Sequence, residues 1–526
     1  MARKGSIESE TVTEKVDWFV VSKPHILEIG PSKDTISINC ITPLAVIFYT
    51  LDGKKPTVKN GKLYTGPFHY PESATIMAFA VLENWKDSEV DTLLHAIIPD
   101  SGLFVNNKNA GDLPSSITYA QKLATVSLTI SGEINGTDIK FIREMINDGK
   151  LAYLDISNAS IVEGGEAYYS SYNSYYTENN VIGEWMFYNC KELVSLKLPT
   201  NATLIKGWAI DNCKNLKILE LPSACRKIED YAISGSNVME TLLIPENVKD
   251  FSGNNLTSCP RLEAVIVNAR NTAYLSIDGV LFKNDGTLVK YPMGKKDASY
   301  SIPISVKKIG KNAFAYAKIE EINIAESVES IESSAFTNCS NLKNIVIPNS
   351  VISVGYMAFY DCKNLSEVAM SSNVTALESM VFSGCKSIRE YTIGKNIKSI
   401  DDNSFGNCTS LMRFNVDEDN EIYAEENGIL YYKDMNTLKR CPIALYLETM
   451  RIPDGVVTIA SKAFDGCVNI GSFILPSTLK IIESSAFSNC KMTSINIPES
   501  VTSIDLWLSM DAKTLRHSSY QKRLRQ

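Results

Sequence analysis

A period of 23 residues runs through most of this chain and limits what it can fold into. Ala335-Phe336, Cys339, Leu342, Ile345 and Ile347-Pro348 are followed by Val351 and Val354, and then Ala358-Phe359 starts the same series again. The phase is carried by Phe187, Ile210, Ile233 and Leu256, resumes at Phe314, Phe336, Phe359, Phe382 and Phe405, and ends with Phe464 and Phe487. A unit this short cannot bury its own apolar face, so the eleven copies must stack and share one column of side chains. At the spacing of neighbouring strands, about 4.8 Å, eleven coils extend about 50 Å. The expected fold is mainly β: a solenoid with short helical turns, preceded by a small β-sandwich.

Within a coil each position has a mechanical role. Leu342, Ile345 and Ile347 supply a strand with inward contacts, and Pro348 ends it because proline has no N–H for the ladder. Asn349-Ser350 turns the chain, Val351 and Val354 form a second extended piece, and the Phe of Ala358-Phe359 enters the core from a brief helical turn. The coils beginning at Phe314 and Phe487 are each one residue shorter before the next strand.

The twelve cysteines follow the same register. Cys190, Cys213 and Cys259 share a phase, as do Cys339, Cys362, Cys385 and Cys408, and then Cys467 and Cys490, with Ser236 replacing one member. Cysteine is therefore a repeat position, a small apolar residue at a tight turn, and free thiols are expected because ladder geometry rarely suits a disulfide. Zinc is disfavoured, since no paired CxxC occurs and no histidine lies between His95 and His517.

Taken in order, residues 1–20 are polar and aperiodic and read as a flexible leader. Met1-Ala-Arg-Lys-Gly is basic, but acids follow where an export signal would place its apolar segment. Residues 21–99 have short alternating segments, such as Thr35-Ile36-Ser37-Ile38 and Thr75 to Val81, separated by turn residues including Asp52-Gly53, which reads as a tight hairpin turn. That pattern predicts a small immunoglobulin-like sandwich. Residues 100–180 hold a linker, a solenoid cap and a tyrosine-rich loop. In the cap, Val126, Leu128 and Ile130 alternate as a strand, Gly136-Thr137-Asp138 starts a helix with Ile139, Ile142, Met145 and Ile146 on one face, and Leu151, Leu154 and Ile156 form the next strand.

The solenoid spans 181–508, with two insertions near 267–303 and 416–453. Each reads as a β-hairpin, and the two are copies: Asp278-Gly279-Val280-Leu281-Phe282 through Tyr291-Pro292, and Asn427-Gly428-Ile429-Leu430-Tyr431 through Cys441-Pro442. Residues 509–526 form an irregular basic tail, where Ser509 and Ala512 stand at the Phe and Cys positions.

The loop from Gly164 to Asn180 holds Tyr168, Tyr169, Tyr172, Tyr175 and Tyr176, five tyrosines in nine residues. Tyrosine offers a large rigid contact area at small entropic cost, so these five are the candidate binding residues; the alternative is a loop folded back on its own solenoid.

Composition excludes several functions. Apolar residues make up 44% and charged residues 21%, and the net charge is −8, which argues against a general nucleic-acid binder. No apolar run approaches the ~18 residues of a membrane span. Triad hydrolysis needs a histidine beside its nucleophile, and the repeats contain none. Phosphate-binding glycine motifs are absent, and no cofactor or metal is expected.

Two resemblances follow from these residues. Tyr49-Thr50-Leu51-Asp52-Gly53, with Pro56-Thr57 and Leu63-Tyr64-Thr65-Gly66-Pro67, resembles the immunoglobulin-like module at the C-terminus of chitobiases and β-hexosaminidases, which implies an accessory module without catalytic residues. The Ala-Phe, Cys, Leu and Ile-Pro register over 126–504 resembles the BspA-type leucine-rich repeats of bacterial surface proteins and some protists. That resemblance implies a non-catalytic, cell-surface or secreted protein that adheres to a protein or glycan ligand. A binder should expose an aromatic patch on one side of the solenoid. A structural spacer, or an accessory carbohydrate-binding protein, is the alternative.

Overall fold

The computed structural model describes residues 20–29, 35–70, 74–83, 85–95, 102–492 and 495–505. The basic tail and nearly all of the leader lie outside the described residues. The chain divides into two compact units, Met1–Asp100 and Ser101–Gln526.

In the first unit, strands His25–Ile29, Thr35–Asn39 and Phe68–His69 form one antiparallel sheet, and Lys62–Leu63, Val46–Thr50, Ala74–Val81 and Asp91–His95 form another. Alternating Ile36, Ile38, Ile47, Ile76 and Ala78 bury into the core between them. Asp52-Gly53 is not a two-residue hairpin turn. Val46–Thr50 pairs next with Lys62–Leu63, so the dipeptide opens a longer loop, and its glycine, at φ 71°, donates its N–H to the Thr75 carbonyl.

The second unit opens with a strand that the sequence reading assigned to a linker. Leu103–Asn107 pairs in parallel with Ser127–Ile134, which pairs with Tyr153–Ile161 and onward to Ser195–Lys197 and Ile218–Glu220. The cap is thus continuous with the first solenoid sheet. Its helix Gly136–Asn147 is capped by Asn135, whose side chain accepts from the Thr137 N–H while Asp138 reaches back to the Asn135 N–H. Asp138 also accepts from the N–H groups of Gly111 and Leu113, at 2.6 and 3.0 Å, tying the segment before the strand to the helix start.

Each regular coil adds one rung to three ladders. Asn344–Val346 pairs with Glu367–Ala369, and Ser330–Ile331 with Ser353–Val354. The third ladder runs along the corner that carries the Phe: the N–H of Phe336 donates to Ala358, that of Phe359 to Val381, and that of Phe382 to Ser404. The turn around Phe359 is closed by two short bonds, Ala358 to Gly355 and Cys362 to Phe359, and two left-handed residues, Met357 at φ 55° and Asp361 at 58°, stop it from extending. This explains the residues before each cysteine. Asn189, Asn212, Asn338, Asp361, Gly384, Asn407, Gly466 and Asn489 all hold positive φ, which asparagine, aspartate and glycine tolerate best.

The Phe side chains form a column of parallel rings. Phe314, Phe336, Phe359, Phe382 and Phe405 are spaced 5.1 to 5.6 Å apart, and Phe464 and Phe487 stand 5.1 Å apart. All twelve cysteines are free, and every one except Cys40 is buried.

Each insertion is a three-stranded meander. Tyr274–Ile277, Val280–Lys283 and Thr287–Lys290 correspond to Tyr423–Glu426, Ile429–Tyr432 and Thr437–Arg440, and the third strand of each rejoins the parallel ladder, at Lys308–Ile309 and Thr458–Ile459. Asp278-Gly279 and Asn427-Gly428 hold positive φ at both central positions, the turn that matches strand twist. The meanders interrupt the corner, and the apolar column divides into three clusters at these places.

Three buried cations supply donors where the corner ladder is interrupted. Lys290 donates to the carbonyls of Gly253 and Asn312, on the coils before and after the first meander. Arg440, at the matching place in the second, donates to Asp402 and Lys462. Below the first coil, Arg143 of the cap helix donates to Trp185, Met186 and Tyr188. Carbonyls left without a neighbouring coil would otherwise be buried unsatisfied, which is costly.

Candidate functional site

One repeat position, two residues ahead of the Phe, is forced into the left-handed region by the corner and directs its side chain outward. Asn312, Ser334, Met357, Met380, Lys462 and Ser485 occupy it on later coils, all at φ 52° to 58°. On the first three coils it is Trp185, Trp208 and Tyr231, at φ 61°, 54° and 60°. A bulky residue in this region costs about 1–2 kcal/mol, so three in succession run against local preference.

The three rings form a row. Trp185 and Trp208 stack with centroids 5.3 Å apart and planes within 5°, and Trp208 and Tyr231 stack at 5.8 Å and 7°. Tyr188 meets Trp185 edge-on at 4.6 Å. Trp208 and Tyr231 are 38% and 37% exposed, while Ala209, Ile210 and Ile233 beside them are buried. The row is therefore a surface feature beside the core column.

The tyrosine-rich segment is a β-hairpin, Gly164–Ser170 with Ser174–Thr177, and it divides the five candidates. Tyr168 is a core residue, 3% exposed, whose hydroxyl donates to the Glu184 carbonyl at 2.8 Å. Its hydroxyl leaves room only for glycine at position 183, where a Cβ would stand 2.3 Å away. Tyr169 and Tyr175 face each other across the hairpin, and Tyr169 stacks on Trp185 at 6.1 Å, which extends the row onto the hairpin. The Arg143 guanidinium lies 4.9 Å from the centroid of the Tyr169 ring. Tyr172, at the tip, and Tyr176 are exposed, and neither has a recorded ring contact.

The polar surroundings are rich in carboxylates. Glu178 bridges Lys206, Glu166 bridges Lys140, and Glu184 accepts from the Trp185 indole N–H at 3.1 Å. Burial raises the carboxyl pKa of Asp211, opposed by hydrogen bonds from Ser234 and Asn212. Asn212 donates to Asn189 at 2.8 Å in a short amide ladder beside the rings. Among the described residues, no group of three or more His, Cys, Asp or Glu side chains is placed to hold a metal ion, and no helix is long and apolar enough to cross a membrane.

Sequence reasoning singled out the dense tyrosines and missed Trp185, Trp208 and Tyr231. Their signal was present: the three are spaced at the repeat period itself, at a position whose other occupants are mostly polar or methionine. Aromatic density drew attention to the hairpin, whereas the row depends on register.

Comparison with known proteins agrees with this architecture. Residues 30–92 match the chitobiase/beta-hexosaminidase C-terminal domain. No curated protein matches the chain. Among solved structures, a leucine rich cell surface protein from Faecalibacterium prausnitzii A2-165 is 21% identical, over 67% of this chain and 73% of its own, with a TM-score of 0.39. A leucine-rich repeat protein from Eubacterium ventriosum ATCC 27560 is 19% identical, over 74% of this chain and 91% of its own, with a TM-score of 0.41. The pneumococcal vaccine antigen PcpA is 23% identical, over 50% of this chain and 68% of its own, with a TM-score of 0.37. The BspA type leucine rich repeat region matches residues 166–288, 300–426 and 443–525, well over half of the sequence, and the chain belongs to that family.

Proposed function

We propose that this chain is a non-catalytic adhesion protein, displayed at a cell surface or secreted, that binds a host, matrix or cell-surface protein or glycan. The contact surface is the aromatic row of Trp185, Trp208 and Tyr231 together with the hairpin residues Tyr169, Tyr172, Tyr175 and Tyr176. The supporting observation is the row itself: three consecutive coils carry half-exposed stacked rings at a position that disfavours bulky residues. A spacer has no use for such a surface, and exposed aromatic clusters mark contact sites.

The test is binding of the purified chain to an array of glycans and extracellular-matrix proteins, with two variants in parallel. One carries Trp208→Asn and Tyr231→Asn, since Asn312 shows that asparagine suits this corner position. The other carries Tyr172→Ser and Tyr176→Ser. Saturable binding lost in the first variant supports the row, and loss in the second extends the site to the hairpin. Binding unaffected by both overturns this placement.

A further inference from the structure

The stack is closed at one end and open at the other. At the hairpin end, Tyr169 already carries the chain's own Arg143 guanidinium 4.9 Å from its ring centroid. Trp208, in the middle, has ring neighbours on both sides, Trp185 and Tyr231. At the far end the next coil supplies Asn254 where an aromatic would continue the row, so no further ring stacks on Tyr231.

Carboxylates surround that open end. Asp230 precedes Tyr231, and its two oxygens accept from the Ser252 hydroxyl and from the Asn254 amide, at 2.7 Å for the latter, leaving acceptor capacity on both. Glu229 accepts from the Gly207 N–H at 3.2 Å. Asp211 lies one coil back, laddered beside Ser234. The lysines on these coils are already engaged: Lys206 with Glu178, and Lys227 with Glu229 and Asp250 at 3.6 and 3.9 Å. The end of the row therefore combines an aromatic ring with a surplus of negative charge.

We infer that the Tyr231 end of the row binds an arginine side chain presented by a protein ligand, with the guanidinium stacked on Tyr231 and its N–H groups directed to Asp230 and Glu229. This rests on the binding reading above and specifies its ligand. A guanidinium is planar, weakly hydrated and forked, so it can use a ring and a carboxylate together, as a compact and strongly hydrated ammonium cannot. A neutral pyranose would also need an open ring, but it makes no use of the charge.

The experiment titrates the full chain with two synthetic peptides of equal length and charge, one bearing arginines and one lysines, and with neutral oligosaccharides. Calorimetry and tryptophan fluorescence report binding. The arginine peptide should bind saturably and at least tenfold more tightly than the lysine peptide, and Tyr231→Asn should weaken it at least tenfold. Asp230→Asn with Glu229→Gln should weaken it several-fold and flatten its salt dependence, while circular dichroism melts confirm that both variants fold. Equal affinity for the two peptides, no arginine-peptide binding, or no effect of Tyr231→Asn overturns the inference. If an oligosaccharide or an array protein then binds in a manner that needs Trp208, the adhesion reading stands without it. If nothing bound depends on Trp208, both fall.

Discussion

The thiol of Cys362 donates to the carbonyl oxygen of Phe336, one coil earlier, at 3.0 Å. The same contact joins Cys339 to Phe314, Cys385 to Phe359 and Cys408 to Phe382, each at 3.1 Å. The Phe336 carbonyl also accepts the Cys339 N–H, so the thiol occupies its second lone pair. Cysteine suits this position because it is small and apolar and still a weak donor. Cys362→Ala should cost about 1–2 kcal/mol, from a void and a lost bond. Cys362→Ser, which keeps a donor, should cost less in urea unfolding. A serine variant less stable than the alanine variant would mean that packing alone selects the thiol.

Buried thiols also set the alkaline limit. Burial pushes Cys190 and Cys259 up to about 11 and Cys408 up to about 12, from an ordinary value of 9.0. The folded chain therefore keeps protons that the unfolded chain releases as pH rises above 9. Stability present below pH 9 should fall through pH 11 to 12, by at most about 1.4 kcal/mol per pH unit for each thiol. Denaturation midpoints at pH 8, 9, 10 and 11 measure this. Cys408→Ala should lower the midpoint at pH 8 yet make the alkaline decline shallower.

Lys290 works in the opposite direction. Burial lowers its pKa from 10.5 to about 8, so the folded chain releases a proton that the unfolded chain retains up to pH 10.5. This one group should gain stability as pH rises from 8 to 10.5. Lys290→Met leaves the carbonyls of Gly253 and Asn312 unpaired and should cost about 1–3 kcal/mol. Coupling in a solenoid is between neighbours, so the loss should stay local. Hydrogen exchange should quicken around the first meander while amides near Phe464 remain protected.

Phe359 is fully buried, 5.1 Å from Phe336 and 5.6 Å from Phe382. Phe359→Ala removes one ring from the column and should cost about 3–5 kcal/mol. Limited proteolysis should cut first in the coils next to it, and unchanged cleavage would mean that the ring column contributes little.

The parts legible in the sequence are those that recur. Phe359, Cys362 and Pro348 could be placed because the same role is repeated coil after coil, and Asn427-Gly428 because its turn has a strong local signal. Leu103–Asn107 escaped notice because a single short strand is stabilised by its neighbour Ser127–Ile134, not by a pattern of its own. Lys290 and Arg440 escaped because a buried cation is identified only by the carbonyls around it. Trp208 was readable in principle, since its register is the repeat register, but its outward direction follows from a left-handed φ that no composition announces.

The hairpin tyrosines offer a test that separates folding from binding. Tyr168 anchors the hairpin through its hydroxyl and buried ring, so Tyr168→Phe should cost about 1 kcal/mol by leaving the Glu184 carbonyl without that donor. Tyr172 is wholly exposed at the tip, so Tyr172→Ser should leave the melting temperature unchanged. On the adhesion reading, the tip variant should reduce ligand binding although it is as stable as the parent chain. Tyr168→Phe should keep full binding at temperatures where it remains folded, because its ring still supports the hairpin from below. If Tyr172→Ser binds normally while Trp208→Asn does not, the hairpin serves to cover the first coil, and recognition belongs to the corner row alone.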